Sequence, residues 1–215
     1  VLANRTNKGG LVQPFPVPVQ QGYVFHRLLA VDEANKIIYF SAYGDMGRIN
    51  HLFSFSYATL PRPYPQNYSS MDFPNLNQTG LRRITTEYSY NNFFVSPDKK
   101  FYLEDASNLQ TASRLTIRNM YGGQVAVLPQ TRPMDSIVAS LPKPQVVNIP
   151  LNDKHRTYLN GLLFKPRPNV NYKVKYPAIV FVYGGPHGHM VRRRASKYNL
   201  WSQYLAERGV YVLHV

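Results

Sequence analysis

Cysteine is absent from this sequence. That excludes a disulfide scaffold, a cysteine-based zinc site and a thiol nucleophile. Acidic residues are scarce: 11 Asp and Glu stand against 25 Lys and Arg, a formal charge of +14 over 215 residues. No apolar run approaches the ~18 residues of a membrane-spanning helix. Neither an initiator Met nor a signal-peptide core opens the chain at Val1-Leu2-Ala3-Asn4-Arg5, which reads as a piece cut from something longer. Hydrophobic residues make up 44% of the chain, with 17 Tyr and 11 Phe among them, so a core can form and wholesale disorder is excluded. At ~100–200 residues per domain, the length suits one large domain or two incomplete ones.

A charge of this size first suggests nucleic acid. Its distribution argues otherwise. Residues 1–150 carry 14 basic and 9 acidic side chains, and residues 151–215 carry 11 and 2. The one basic run is Arg192-Arg193-Arg194, with Lys197 nearby. No zinc-finger spacing, RNP-like segment or basic heptad accompanies it, so it reads as a solvated basic loop and no nucleic-acid partner is expected.

Along the chain, residues 1–22 are rich in Gly, Pro, Gln and Asn, which suits an extended edge segment. Strands are expected at Phe25–Val31, Ile37–Ala42 and His51–Tyr57, separated by a turn at 32–36 and a Gly-punctuated loop at 43–48. A Pro-rich insertion runs from Leu60 to about Asn77. The rhythm resumes at Leu81–Thr85, Asn92–Val95, Phe101–Asp105, Arg114–Asn119 and Gln124–Leu128, with turns at Ser96-Pro97-Asp98 and Tyr121-Gly122-Gly123. Short antiparallel strands with turns every 8–12 residues indicate a sandwich, barrel or propeller, and the spacing is compatible with the ~40–50 residues of a propeller blade. About three such units would leave strand edges open, so a propeller requires chain upstream.

Near Val146 the pattern changes. Val146–Leu151 and Thr157–Phe164 read as a hairpin, and Ala178–Tyr183 is an uninterrupted apolar run of the kind found in strands buried on both faces of an α/β sheet. Ser196–Arg208 has helical spacing with Leu200, Trp201, Tyr204 and Leu205 on one face, and Gly209 follows as its C-cap. Val210–Val215 is a second apolar strand, and the chain ends inside it. The fold class expected from the residues is therefore mixed: an all-β sandwich, barrel or set of propeller blades over residues 1–147, then an α/β unit over 148–215.

The segment most informative about chemistry is Tyr183-Gly184-Gly185-Pro186-His187-Gly188. A tyrosine at a strand-to-loop junction followed by glycines can offer its hydroxyl to a developing oxyanion, with the glycines letting backbone approach substrate. The same residues also suit a buried Tyr before a tight turn. His187 and His189 lack a third ligand at metal spacing, so loop packing is expected and no metal or cofactor is implied. His214, in an apolar strand, reads as a satisfied core histidine. Asp98 and Asp105 read as turn and strand-end residues, because nothing fixes a separation for an acid/base pair. Asn4-Arg5-Thr6, Asn67-Tyr68-Ser69 and Asn77-Gln78-Thr79 match the glycosylation sequon as chance would in an Asn-rich chain.

Residues 175–187, Lys-Tyr-Pro-Ala-Ile-Val-Phe-Val-Tyr-Gly-Gly-Pro-His, resemble the opening of the catalytic domain in the prolyl oligopeptidase superfamily. The sequel Trp201–Val212 resembles it too, and Leu81–Thr85 with Phe94–Phe101 resemble late propeller blades of its dipeptidyl peptidase IV family. The resemblance spans most of residues 23–215 and is closest over 175–213. It implies a serine exopeptidase with an eight-bladed propeller and an α/β-hydrolase domain, releasing N-terminal dipeptides after Pro or Ala. It also implies that Tyr183 donates in the oxyanion hole. The chain contains no Gly-x-Ser-x-Gly elbow and no Glu-Glu pair, so this piece alone should be inactive, without the Ser, Asp and His of the triad. By the same resemblance the partners are peptide substrates and a second copy in a homodimer, the location is periplasmic or secreted, and no cofactor is needed. Rival readings are an acylaminoacyl peptidase or prolyl endopeptidase of the superfamily, or a catalytically silent interaction protein.

Overall fold

The computed structural model describes residues 2–3, 14–15, 22–58, 80–129, 134–154, 157–166, 175–185 and 189–215. The three sequons, the Pro-rich insertion and His187 lie outside the described residues. Strands dominate, and two helices occur among the described residues, neither long and apolar enough to cross a membrane. Near the N-terminus β1 (Leu2–Ala3) pairs antiparallel with β2 (Pro14–Phe15).

The next eight strands form two antiparallel meanders of four. The first contains β3 (Val24–Asp32), β4 (Ile37–Gly44), β5 (Ile49–Ser56) and β6 (Leu81–Arg83); the second contains β7 (Tyr90–Val95), β8 (Phe101–Ser107), β9 (Arg114–Asn119) and β10 (Gln124–Val127). A single parallel pair, Asn50 with Tyr90, joins them. Repeated four-stranded meanders are how a propeller is built, and the arrangement is propeller-like and all-β.

Alternation in β4 explains the packing, because successive side chains of a strand face opposite ways. Tyr39 joins Leu52, Ile84, Phe93, Tyr102 and Met120 in a core between the two meanders. Ile38, Phe40 and Ala42 turn to the other face and pack with Phe53 and Phe55. Phe40, Phe53 and Phe55 are fully buried, each contributing about 1.5–3 kcal/mol by transfer from water. Phe40 and Phe53 stack at 5.5 Å.

After α1 (Met134–Ser140) comes a separate four-stranded sheet in the order β11-β12-β14-β13. β11 (Gln145–Pro150) and β12 (Tyr158–Phe164) form the expected hairpin. The boundary drawn from sequence at 147/148 falls within β11. β14 (Tyr211–His214) runs antiparallel to β12 and parallel to β13 (Ala178–Phe181), and α2 (Lys197–Glu207) makes the crossover that a parallel pair needs. Ser196 caps α2, its Oγ accepting the Asn199 N–H at 3.2 Å. Gly209 follows at φ +83°, a conformation that favours glycine, and stops the helix.

Two sequence expectations fail in this sheet. β13 is not buried on both faces: among the described residues it is the sheet edge, and Ile179 through Tyr183 are all substantially exposed. An apolar run states a demand for burial without supplying what covers it. α2 buries Asn199, Ser202, Gln203 and Ala206, while Trp201 and Tyr204 stack on each other at 5.5 Å on its outer side. The buried polar residues are tied inward by hydrogen bonds, with Gln203 Nε2 donating to Pro142 O at 2.9 Å and Asn199 Nδ2 to Arg194 O at 2.7 Å. Leu162, Phe164, Val191, Ala206 and Val212 form the core between helix and sheet.

Candidate functional site

The loop from β13 to α2 carries the residues singled out by sequence. Its start is held by the parallel pairing of Phe181 with His214, extended by the Val215 N–H donating to Phe181 O at 2.9 Å. Tyr183 lies two residues past the strand and is 50% exposed, so it is not the buried tyrosine the alternative required. Its side chain folds back over its own loop. A Cβ placed on Gly185 would meet the Tyr183 Oη at 2.6 Å, whereas a Cβ on Gly184 would meet nothing within 4 Å. Glycine at 185 thus makes room for this pose of the phenol.

The far half of the loop corrects the reading of the basic run. Arg192, Arg193 and Arg194 are not a solvated loop but dock on the two meanders, each on its own partner. Arg192 lies over the Tyr90 ring at 5.2 Å, and Arg193 over the Tyr88 ring at 4.6 Å. Arg193 Nε donates to Asp45 Oδ2 at 3.4 Å, and its backbone N–H donates to Arg48 O at 2.9 Å. Arg194 pairs with Asp105 at 2.8 Å. All three are half-buried. Asp45, Tyr88 and Tyr90 carried no sequence signal beyond the turn composition around Gly44 and Gly47.

Beside this seam His189 packs as expected of a loop histidine, its ring edge-on to Tyr43 at 5.2 Å. Tyr43 also stacks on His26 at 4.1 Å and accepts from the Tyr90 hydroxyl at 3.3 Å. Burial, and then the positive charge of Arg27, Arg192 and His189, holds the His26 pKa below that of a solvated imidazole. Burial likewise pushes the Tyr43 phenol well up.

The remaining candidates have structural work. Asp98 accepts from Ser96 Oγ at 2.7 Å and from the Lys100 N–H at 3.2 Å, which closes its turn and lowers its pKa. Asp105 accepts from Asn92 at 3.2 Å, Ser113 and Arg194. His214 is only half satisfied: Nε2 bonds Ser202 Oγ at 2.7 Å, and Nδ1 has no partner among the described residues. Ser202 with His214, and Ser41 with His26 at 3.0 Å, are Ser–His hydrogen bonds, but the serines are 0% and 2% exposed. Neither pair presents a nucleophile to substrate. Among the described residues no three His, Asp or Glu side chains converge as metal ligands.

No protein-family model matches the sequence, and no curated protein matches it either. The fold is similar to that in the crystal structure of Porphyromonas gingivalis dipeptidyl peptidase 4, with a TM-score of 0.72 and 16% sequence identity. That likeness covers 97% of this chain and 26% of the other, so the chain spans about a quarter of the length of the structure it matches. At this identity the likeness shows a shared fold.

Proposed function

We propose that this chain is part of a serine exopeptidase of the dipeptidyl peptidase kind, one that releases N-terminal dipeptides after Pro or Ala. In this reading residues 1–147 belong to the last propeller blades and residues 148–215 open the α/β-hydrolase domain. One observation carries the proposal: an exposed tyrosine and two glycines occupy the loop between the third strand of the second sheet and the helix that crosses to the next parallel strand. In α/β-hydrolases the loop between the third strand and the first helix contributes to the oxyanion hole. The fold likeness and the two propeller-like meanders beside this loop support the same reading.

The chemistry is acyl transfer. A serine elsewhere in the full-length protein, activated by histidine, attacks the carbonyl of the second residue. The carbonyl oxygen takes up the negative charge, and the Tyr183 hydroxyl donates a hydrogen bond to it. The peptide amine leaves with the proton the histidine accepted, and water then hydrolyses the acyl-enzyme. Because Tyr183 acts where charge develops, its loss falls on kcat. Tyr183→Phe in the full-length protein should lower turnover of an Ala-Pro or Gly-Pro reporter by about 10²–10³ without changing the thermal midpoint. An unchanged rate removes Tyr183 from the mechanism. Turnover of only N-acylated reporters makes it an acylaminoacyl peptidase or endopeptidase, and failure to react with a fluorophosphonate makes it a silent homologue. A homodimer and a periplasmic or secreted location belong to the same proposal.

A further inference from the structure

Cations hold the arginine run to the meanders, and a histidine stands at the edge of that seam. The register between β3 and β4 shifts between Phe25 and Arg27, so His26 is the extra residue of a β-bulge. A bulge re-aims the side chain it carries. Here the ring reaches Ser41 Oγ through Nδ1 at 3.0 Å and stacks on Tyr43 at 4.1 Å. Tyr43 carries the contact across the seam. Its ring meets His189 edge-on at 5.2 Å, and its hydroxyl accepts from Tyr90, over whose ring Arg192 lies at 5.2 Å. Beside them the Arg193 N–H donates across the seam to Arg48 O at 2.9 Å. The charged groups acting on His26 are Arg27 on its own strand and Arg192 and His189 on the loop, all of them basic. From β4 and β5 it meets Ser41, Tyr43 and Asn50, which are uncharged. The carboxylate of the seam, Asp45, is already engaged by Arg48, Arg193 and the Tyr88 hydroxyl.

We propose that His26 is an acid-sensitive latch on this seam: its protonation sets a further cation against Arg192 and releases residues 189–194 from the meanders. Undocking takes Arg192 and His189 away and hydrates the imidazole, so the open form binds the proton more tightly than the docked form. Docking is therefore strongest above the ordinary imidazole value of 6.5. It weakens as pH falls toward the lower value that burial, Arg27, Arg192 and His189 impose, and this group takes nothing more from it below that. The ring keeps contact with water, so the proton enters without unfolding, and screening holds the effect to a few-fold.

The test is amide hydrogen exchange over residues 189–194 in the full-length protein, at about pH 7.5 and about pH 5.5, corrected for the intrinsic pH dependence of exchange. The Arg193 amide is the reporter, because its hydrogen bond crosses the seam. This window lies above the ordinary carboxylate range, so a response within it reports imidazole. Corrected exchange should rise about three- to tenfold at the lower pH. His26→Phe keeps a ring against Tyr43 and removes the charge, and should abolish the rise; His26→Gln stands in if that variant fails to fold. His51→Gln, which removes the other buried imidazole of the meanders, should leave the rise in place. Equal corrected exchange at the two pH values in the wild-type protein overturns the latch. So does a rise that survives removal of His26, or one that disappears in His51→Gln.

Discussion

Under the oxyanion role proposed for Tyr183, Gly185→Ala isolates the geometry of the phenol from its chemistry. The added methyl would lie 2.6 Å from the phenol Oη, 2.7 Å from Cζ and 3.0 Å from Cε1. Ordinary van der Waals contact requires about 3.5 Å, so the ring must withdraw by about 1 Å. Gly185 is not among the glycines at positive φ, so its backbone accepts an L side chain, and the three atoms nearest the added methyl all belong to Tyr183. The substitution therefore leaves the hydroxyl chemically intact and displaces it. A misplacement of about 1 Å costs on the order of 10²-fold in rate, or ~2.7 kcal/mol of barrier. The assay is steady-state turnover of a dipeptidyl reporter by the full-length protein, with thermal unfolding as the check on stability. Gly184→Ala separates the two explanations of a loss, since its methyl enters open space. A loss as large at 184 as at 185 would assign the effect to backbone approach to substrate and refute displacement of Tyr183. A wild-type rate for Gly185→Ala, with Tyr183→Phe impaired, would refute it equally.

Two further predictions concern the meanders. His51 is buried with its Nδ1 3.0 Å from Thr85 Oγ1, and burial, then Arg83, lowers its pKa from 6.5 to about 4. The unfolded chain binds this proton first, so stability is full above pH 6.5 and declines as pH falls toward 4, with no further loss from this group below that. The limit is ~3 kcal/mol, nearer ~2 kcal/mol after partial hydration; His51→Gln should flatten the fall in thermal midpoint over that window, and parallel curves for variant and wild type would refute the assignment. Phe53→Ala should cost about 3–5 kcal/mol in urea unfolding because the ring is fully buried in the core shared with Phe40 and Phe55, whereas Phe94→Ala, 58% exposed, should cost under ~1 kcal/mol. Equal losses at the two positions would contradict the packing.

Local structure was legible where local chemistry decides it. The bounds expected for β9, Arg114–Asn119, are those observed, since the β-branched Thr116 and Ile117 and the Gly122-Gly123 turn both act within a few residues. The hairpin of β11 and β12, the helix after Ser196 and its stop at Gly209 were legible for the same reason. What escaped depends on distant partners. Arg193 meets Asp45 across 148 residues, so the charges of the run were visible and their destination was not. The face of α2 was misjudged because an apolar stripe outweighs polar residues on a helical wheel, while in the structure Ser202 and Gln203 are drawn inward by His214 and the Pro142 carbonyl. The motif singles out Tyr183 in sequence, but the folded-back pose that brings its hydroxyl over Gly185 is a three-dimensional fact.

The open flank of β13 has a further consequence. From Ala178 to Tyr183 there is no charge, no proline and no glycine, and among the described residues the strand offers one unpaired row of backbone groups with Ile179, Val180, Phe181 and Val182 exposed beside it. Natural sheet edges are usually blunted by lysine, proline or a bulge, and this one is not. Among the described residues this flank is therefore the edge onto which another extended chain could add strand by strand.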